Sequence, residues 1–269
     1  MIYLVSREQR LLEESFYKVI SPEESLELMK DWKVIQLDTE TEGRDPHLCK
    51  LLCLQLGNDA ANARIVIDAN TIDIKIYKEL LEDRMIIGQN LKFDLQFLYN
   101  YEIIPRKIYD TMIVEQLIYL GWPTGMISYS LKEIAYRRLN ISLDKTIRGE
   151  IIWRGLDLDV IRYAASDVTY LEKIMWSQVE DLKKQNLMKA AKLECDFVPS
   201  LAYMEWCGIL LSEERWRKKM DNDQAALKES LEKLNRFVTE NPLYSKYTYI
   251  NRQGDLFNGS INKSFKSNK

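Results

Sequence analysis

Between residues 34 and 68 the apolar positions fall into short, alternating runs separated by polar turns, and from residue 75 onward they recur at helical spacing. Val34-Ile35-Gln36-Leu37-Asp38 reads as a strand, residues 51–56 as a second with Leu52, Leu54 and Leu56 on one face, and residues 64–68 as a third. Three consecutive short strands are joined most simply as an antiparallel meander. Ahead of them, Ser21-Pro22-Glu23-Glu24 is a capping box with proline at the first helical position, which predicts a helix over 22–31.

The later pattern predicts a helix over 75–82, a short buried strand over 85–87, and helices over 91–99, 111–120, 131–138 and 158–184. Ser130-Leu131-Lys132-Glu133 forms another capping box, Asp157 is a good N-cap for the long helix, and Asn90 is placed to cap the helix at 91. Strands first, then alternating elements, define an α/β fold with a mixed β-sheet flanked by helices. From residue 189 the chain reads as helical to about 206, turns at Cys207-Gly208, and resumes as a charged helix over 213–240. Residues 241–269 are rich in Asn, Ser and Lys, and are expected to be loosely held. No internal repeat is present.

Composition narrows the chemistry. The 269 residues are 46% apolar and 29% charged, enough for a substantial core under a soluble surface. The net charge of −3 neither announces nor excludes a nucleic-acid partner, because gripping one strand end needs only a local basic groove. Cys49, Cys53, Cys195 and Cys207 show no CxxC spacing and read as reduced thiols. His47 is the only histidine, so a zinc site or a Ser/His triad has almost nothing to rest on. No signal peptide and no membrane-length apolar run is apparent, so a cytoplasmic protein without membrane contact is expected.

Three acidic arrangements remain. Asp38 and Glu40 stand two apart at a strand end, so both carboxylates share one face, but acidic pairs also cap turns. Asp94 lies one turn above Asn90 on a new helix, where a first-turn acid also suits the helix dipole. Tyr163 and Asp167 stack at a spacing of four with only Ala-Ala-Ser between them, which equally describes a packed tyrosine and a solvated acid.

Taken in order, Leu37-Asp38-Thr39-Glu40-Thr41, Gly88-Gln89-Asn90-Leu91-Lys92-Phe93-Asp94 and Tyr163-Ala164-Ala165-Ser166-Asp167 closely resemble the three exonuclease motifs of the DEDD superfamily. Tyr163, where another branch has histidine, matches the tyrosine type, as in the proofreading domains of family A DNA polymerases. Tyr109-Asp110-Thr111-Met112 and Ser130-Leu131-Lys132-Glu133-Ile134-Ala135 add to the likeness, which covers roughly residues 34–182. The resemblance implies an RNase H-like fold and a 3′→5′ exonuclease domain over 1–187. A helical segment over 188–240 and a polar tail over 241–269 follow it.

The implied catalytic set is Asp38, Glu40, Asp94, Tyr163 and Asp167. By resemblance, Asp38 bridges two divalent cations, Glu40 and Asp167 complete the coordination of the first ion, and Asp94 serves the second through water. Tyr163 with Glu40 orients the attacking water. Thr39, Gln89, Asn90, Lys92 and Phe93 are implied in substrate binding, with Arg44 added from the following loop. Hard oxygen ligands without a Cys/His cluster suit Mg²⁺ or Mn²⁺, and a pair of such ions is what phosphodiester hydrolysis requires.

Two departures stand out. Arg44 occupies a position where the family has an apolar wedge, and Gly121-Trp122-Pro123-Thr124-Gly125 lacks a customary arginine. Phosphate affinity then falls to Arg44, Lys92 or Arg148. Asp110 fits a family-like motif, yet helix capping explains it equally well.

Residues 193–211 resemble the opening of the polymerase domain of family A enzymes, and the helix from 213 resembles the start of its thumb. The expectation is a proofreading-type exodeoxyribonuclease acting on single-stranded or mismatched DNA 3′ ends and releasing nucleoside 5′-monophosphates. Its expected partners are a single-stranded DNA 3′ end and a polymerase domain or separately encoded polymerase subunit. An RNase D-like exoribonuclease and an inactive nucleic-acid-binding module are the alternatives.

Overall fold

A computed structural model describes residues 1–8, 11, 16–123, 125–143 and 150–243. The polar tail beyond 243, Thr124 and Arg148 lie outside the described residues. By contacts the chain divides into two units, Met1–Gly208 and Ile209–Lys269.

The predicted meander forms the middle of a seven-stranded sheet. Strands β1 (Ile2–Val5), β2 (Tyr17–Val19), β3 (Val34–Thr41), β4 (Leu51–Asn58), β5 (Ala63–Asp68), β6 (Met85–Gly88) and β7 (Lys107–Asp110) lie in the order β2-β1-β5-β4-β3-β6-β7. β3, β4 and β5 are antiparallel, and the outer strands pair parallel to their neighbours. β1, β2 and β7 were not predicted. Each has three or four residues, and parallel pairing with distant partners leaves no turn signature in the local sequence.

Helix α1 (Pro22–Met29) has the reciprocal capping box, Ser21 Oγ accepting from Glu24 N at 3.1 Å and Glu24 Oε2 from Ser21 N at 2.8 Å. A 3₁₀ turn at Ile74–Tyr77 leads into α2 (Lys78–Asp83), dividing the helix expected over 75–82. Then follow α3 (Leu91–Tyr99), α4 (Thr111–Ile118), α5 (Leu131–Leu139), α6 (Ile151–Arg154), α7 (Leu158–Asp167), α8 (Leu171–Lys184), α9 (Met188–Cys207) and α10 (Glu213–Glu240).

The helix expected over 158–184 is thus two. Tertiary partners take over the broken ends: Arg64 donates to the Thr169 carbonyl at 3.0 Å, and Glu172 N donates to Gln36 Oε1 at 3.1 Å. Buried polar groups so satisfied make a helix break inexpensive.

One sheet face carries Ile35, Leu37, Leu54, Leu56, Ile65 and Ile67 in the main core, which continues into α3, α4, α8 and α9. The other carries Leu4, Cys53 and Val66 under α7, through Val160, Ile161, Ala164 and Ala165. Alternation predicts Leu52 beside Leu54 and Leu56, but Leu52 joins this second cluster instead. A register shift between Glu40 and Thr41 pairs Thr41 with Leu51, and the resulting irregularity turns Leu52 over.

In the first unit α9 packs on α3, α4, α8 and β7. In the second, α10 is a 28-residue helix capped by Ser212 and buries none of its side chains. Among the described residues no helix is long and apolar enough to cross a membrane, and all four thiols are free.

Candidate active site

The site is assembled where β3 passes under α7. Strand alternation puts Gln36, Asp38 and Glu40 on the α7 side and Leu37 and Thr39 on the other. Gly57, opposite Gln36 on β4, lets the end of α7 settle on the sheet, since a Cβ there would lie 3.1 Å from the Val168 carbonyl oxygen. Asp167 at the C-terminus of α7 thereby meets the two strand acids. Ligand oxygens of Asp38, Glu40 and Asp167 all lie within 4.8 Å of one another. Asp167 is buried, and the other two are half-buried. Three carboxylates this close repel one another unless protons or cations neutralise them.

Tyr163, one turn before Asp167, is 8% exposed and hydrogen-bonds to Asp167. Burial, and then the charges of Asp167, Glu40 and Asp38, push its phenol far above the usual range. The hydroxyl therefore stays protonated: it can donate to and orient a neighbour but does not act as a phenolate base.

Asp94 reaches the site from the opposite side of β3. It is buried on α3 and accepts a 2.5 Å hydrogen bond from Thr39 Oγ1. Burial raises its pKa to about 8, partly offset by the Thr39 hydroxyl. Asp94 thus stands outside the three-carboxylate group, one residue across the strand from both acids. α3 can approach β3 closely here because Gly88 carries no side chain. A Cβ at Gly88 would clash with Leu91 Cδ2 and lie 3.0 Å from the Leu37 carbonyl oxygen.

Asn90 does not cap α3, contrary to expectation. Its backbone is left-handed at φ 60, and its side chain makes no cap hydrogen bond. Asp110 does the capping instead. Its carboxylate accepts from Asn90 N at 3.0 Å and Leu91 N at 2.7 Å, and also from Met112 N at 2.9 Å at the start of α4. One buried acid closes two helices, and the exposed Asn90 amide is left facing solvent.

The other expected substrate contacts are placed as follows. Gln89 has both ends of its amide engaged, donating to Tyr129 O at 2.8 Å and accepting from Thr111 Oγ1 at 2.5 Å. Lys92 pairs with Glu205 of α9 at 2.8 Å. Phe93 is partly buried, 5.1 Å from the Phe97 ring. Arg44 is exposed in the loop after β3, and the same loop holds Leu48, which is 82% exposed. Sequence reading passed over Leu48, although an apolar residue in a polar loop near the first motif was a usable signal. His47 contacts the Trp206 carbonyl at 2.8 Å, a packing role for the lone imidazole. Beside Tyr163 a cleft of about 350 Å³ opens, lined by Ser142, Leu143, Arg162, Ser166 and Tyr170; periodicity alone gave no hint of it.

The 3′-5′ exonuclease family model matches residues 15–180, more than half of the chain, and the chain belongs to that family. It is 27% identical to DNA polymerase I of Aquifex aeolicus over 253 residues, 87% of this chain and 40% of the polymerase. It is also 27% identical to ribonuclease D of Haemophilus influenzae over 175 residues, 64% of this chain and 42% of that enzyme. The chain therefore spans less than half the length of either relative. Among solved structures, Brucella melitensis NrnC with bound Mg²⁺ superposes with a TM-score of 0.59 at 19% identity, covering 79% of this chain and 98% of that one. NrnC bound to pGG gives a TM-score of 0.59 at 24% identity, over 68% and 89% of the two chains. These likenesses establish the RNase H-like exonuclease fold.

Proposed function

We propose that this chain is a metal-dependent 3′→5′ exodeoxyribonuclease of the proofreading type, acting in the cytoplasm on single-stranded or mismatched DNA 3′ ends. The observation that carries this reading is the meeting of Asp38, Glu40 and Asp167 within 4.8 Å, with Tyr163 hydrogen-bonded to the last of them. The donor set is all hard oxygen, which fits Mg²⁺ or Mn²⁺ and not a soft metal. Asp38, Glu40 and Asp167 would hold the first of two ions, and Asp94 would serve the second. Bound there, such ions supply charge neutralisation on the phosphodiester and a lowered pKa for the attacking water.

The chain's own residues do the rest. Tyr163, held protonated, orients that water, while Glu40 accepts its hydrogen bond. Thr39 fixes Asp94 from behind the strand. Asn90, freed from capping by Asp110, offers its amide to the terminal nucleotide. Arg44 and Leu48 lie in the loop where a terminal base or phosphate would be held, and Arg162 lines the cleft beside Tyr163. Lys92, Gln89 and Phe93 complete the substrate-binding surface. All four acids and the tyrosine are present, which favours an enzyme over an inactive binding module.

The likeness to DNA polymerase I covers 87% of this chain, extending past the exonuclease fold, and supports DNA as substrate and a polymerase domain or subunit as partner. The likeness to ribonuclease D supports a second reading, an exoribonuclease with the same chemistry. A time course on single-stranded DNA, matched duplex, mismatched duplex and single-stranded RNA separates them. Mismatched and single-stranded DNA should be lost at least about tenfold faster than matched ends, because unstacking an end costs a few kcal/mol. Equal loss of matched and mismatched ends removes the proofreading reading, and faster loss of RNA moves the assignment to the exoribonuclease.

A further inference from the structure

Gln55 is fully buried, and neither its amide nitrogen nor its amide oxygen has a hydrogen-bond partner. The other fully buried glutamines behave differently. Gln36 donates to Asp59 Oδ1 at 3.0 Å and accepts from Glu172 N. Gln178 donates to Thr111 O at 2.8 Å and accepts from Tyr109 Oη at 3.2 Å. Buried amides are almost always satisfied, so an orphaned pair of amide atoms calls for a specific partner.

Its place in the sheet points to that partner. Gln55 is the cross-strand neighbour of Asp38 on one side and of Val66 on the other. Directly opposed residues share a sheet face with Cβ atoms about 4.5–5.5 Å apart, so the Gln55 side chain lies on the α7 side, next to Asp38. Its flanking neighbours Cys53 and Val66 cluster with Ala164 and Ala165 of α7, apolar surroundings that leave its amide unanswered. A carboxylate that ligates a cation through one oxygen usually has its other oxygen held by a hydrogen-bond donor. The Gln55 amide is such a donor, already enclosed and spent on nothing else.

We propose that Gln55 is a positioning residue for Asp38: its amide N–H, unpaired in this structure, takes up an Asp38 carboxylate oxygen when a cation binds and so holds that carboxylate in its ligating orientation. The proposal rests on the metal-dependent reading of the site. It separates from a merely structural role by sign. Replacing the amide with an apolar side chain of similar length removes unpaired buried polar atoms, so the metal-free fold should hold or gain stability. Loss of the donor should at the same time weaken cation binding, by roughly 10–100-fold for such supporting contacts.

The test compares wild type with Gln55→Met, and with Gln55→Leu as a second shape, in two measurements on the full chain. Thermal unfolding in EDTA should give midpoints equal to or above wild type. Mn²⁺ titration followed by electron paramagnetic resonance should give dissociation constants raised at least about tenfold. Wild-type Mn²⁺ affinity in both variants overturns the role of Gln55 and leaves the metal site standing. A parallel fall in metal-free stability and affinity reduces Gln55 to a packing residue. Absence of Mn²⁺ binding by wild type overturns the reading of the site itself, and the Gln55 role with it.

Discussion

Thr39 and Asp94 are joined by a 2.5 Å hydrogen bond that runs from the strand carrying Asp38 and Glu40 to the helix carrying the second motif. Burial holds Asp94 at about 8, whereas an aspartate in the unfolded chain titrates near 3.9. The folded state therefore binds this proton more tightly than the unfolded state. The metal-free protein should lose stability as pH rises from about 4 to about 8, with no further loss from this group above that. Asp94→Asn lacks this component, so its stability relative to wild type should climb across the same window. Urea unfolding in EDTA at several pH values checks the trend, and a pH-independent difference contradicts it.

Asp110 should matter to the fold more than to the chemistry. Its carboxylate accepts from the backbone at the starts of both α3 and α4. Each lost cap costs about 1–2 kcal/mol, so Asp110→Ala should destabilise the protein by about 2–4 kcal/mol. Asp110→Asn, which keeps one acceptor oxygen, should cost less. Denaturant midpoints measure both, and a loss below about 0.5 kcal/mol for the alanine variant would contradict the shared cap.

The meander, most of the helices and the three acidic motifs were legible in the chain because each has a local signal: alternation, a capping box, or a fixed motif spacing. What was not legible depends on residues far apart in sequence. Asn90 looked like a cap because only Asp110, twenty residues on, reveals the real one. The helix break at 168–170 needs Arg64 and Gln36 to be visible. Strand β1 and the edge strands β2 and β7 lacked local turns, and Gln55 is an unremarked polar residue in an apolar run until Asp38 is placed opposite it. Only the resemblance set Asp94 apart from the other acids, and its position behind β3 follows from the packing of α3 at Gly88.

Tyr163→Phe should fold normally and keep its affinity for Mn²⁺, because the phenol is proposed to orient water and not to ligate. Its cleavage rate should fall on the order of 10–10³-fold, as for other orienting groups. Single-turnover assays at saturating metal decide this, and a rate equal to wild type assigns Tyr163 to packing.

Burial and the nearby charges of Glu40, Asp68 and Asp38 push the Cys53 thiol well up, and burial raises Cys195 to about 11. Neither should offer thiolate near neutral pH, whereas Cys207 is exposed. Native-state alkylation followed by peptide mapping should therefore mark Cys207 first and leave Cys53 and Cys195 unmodified until the protein unfolds. Rapid native labelling of Cys53 would contradict the closed packing of α7 against β4.

The metal-dependent carboxylate site is tested most directly by Asp38→Ala on a single-stranded DNA oligonucleotide labelled at its 5′ end. Wild type with Mg²⁺ or Mn²⁺ should produce a ladder shortening from the 3′ end, and EDTA should abolish it. The variant should produce no ladder under any metal concentration. Its thermal midpoint should match or exceed that of wild type in EDTA, since a repulsive cluster has lost one charge. Retention of most cleavage by Asp38→Ala, or undiminished cleavage by wild type in EDTA, would contradict it.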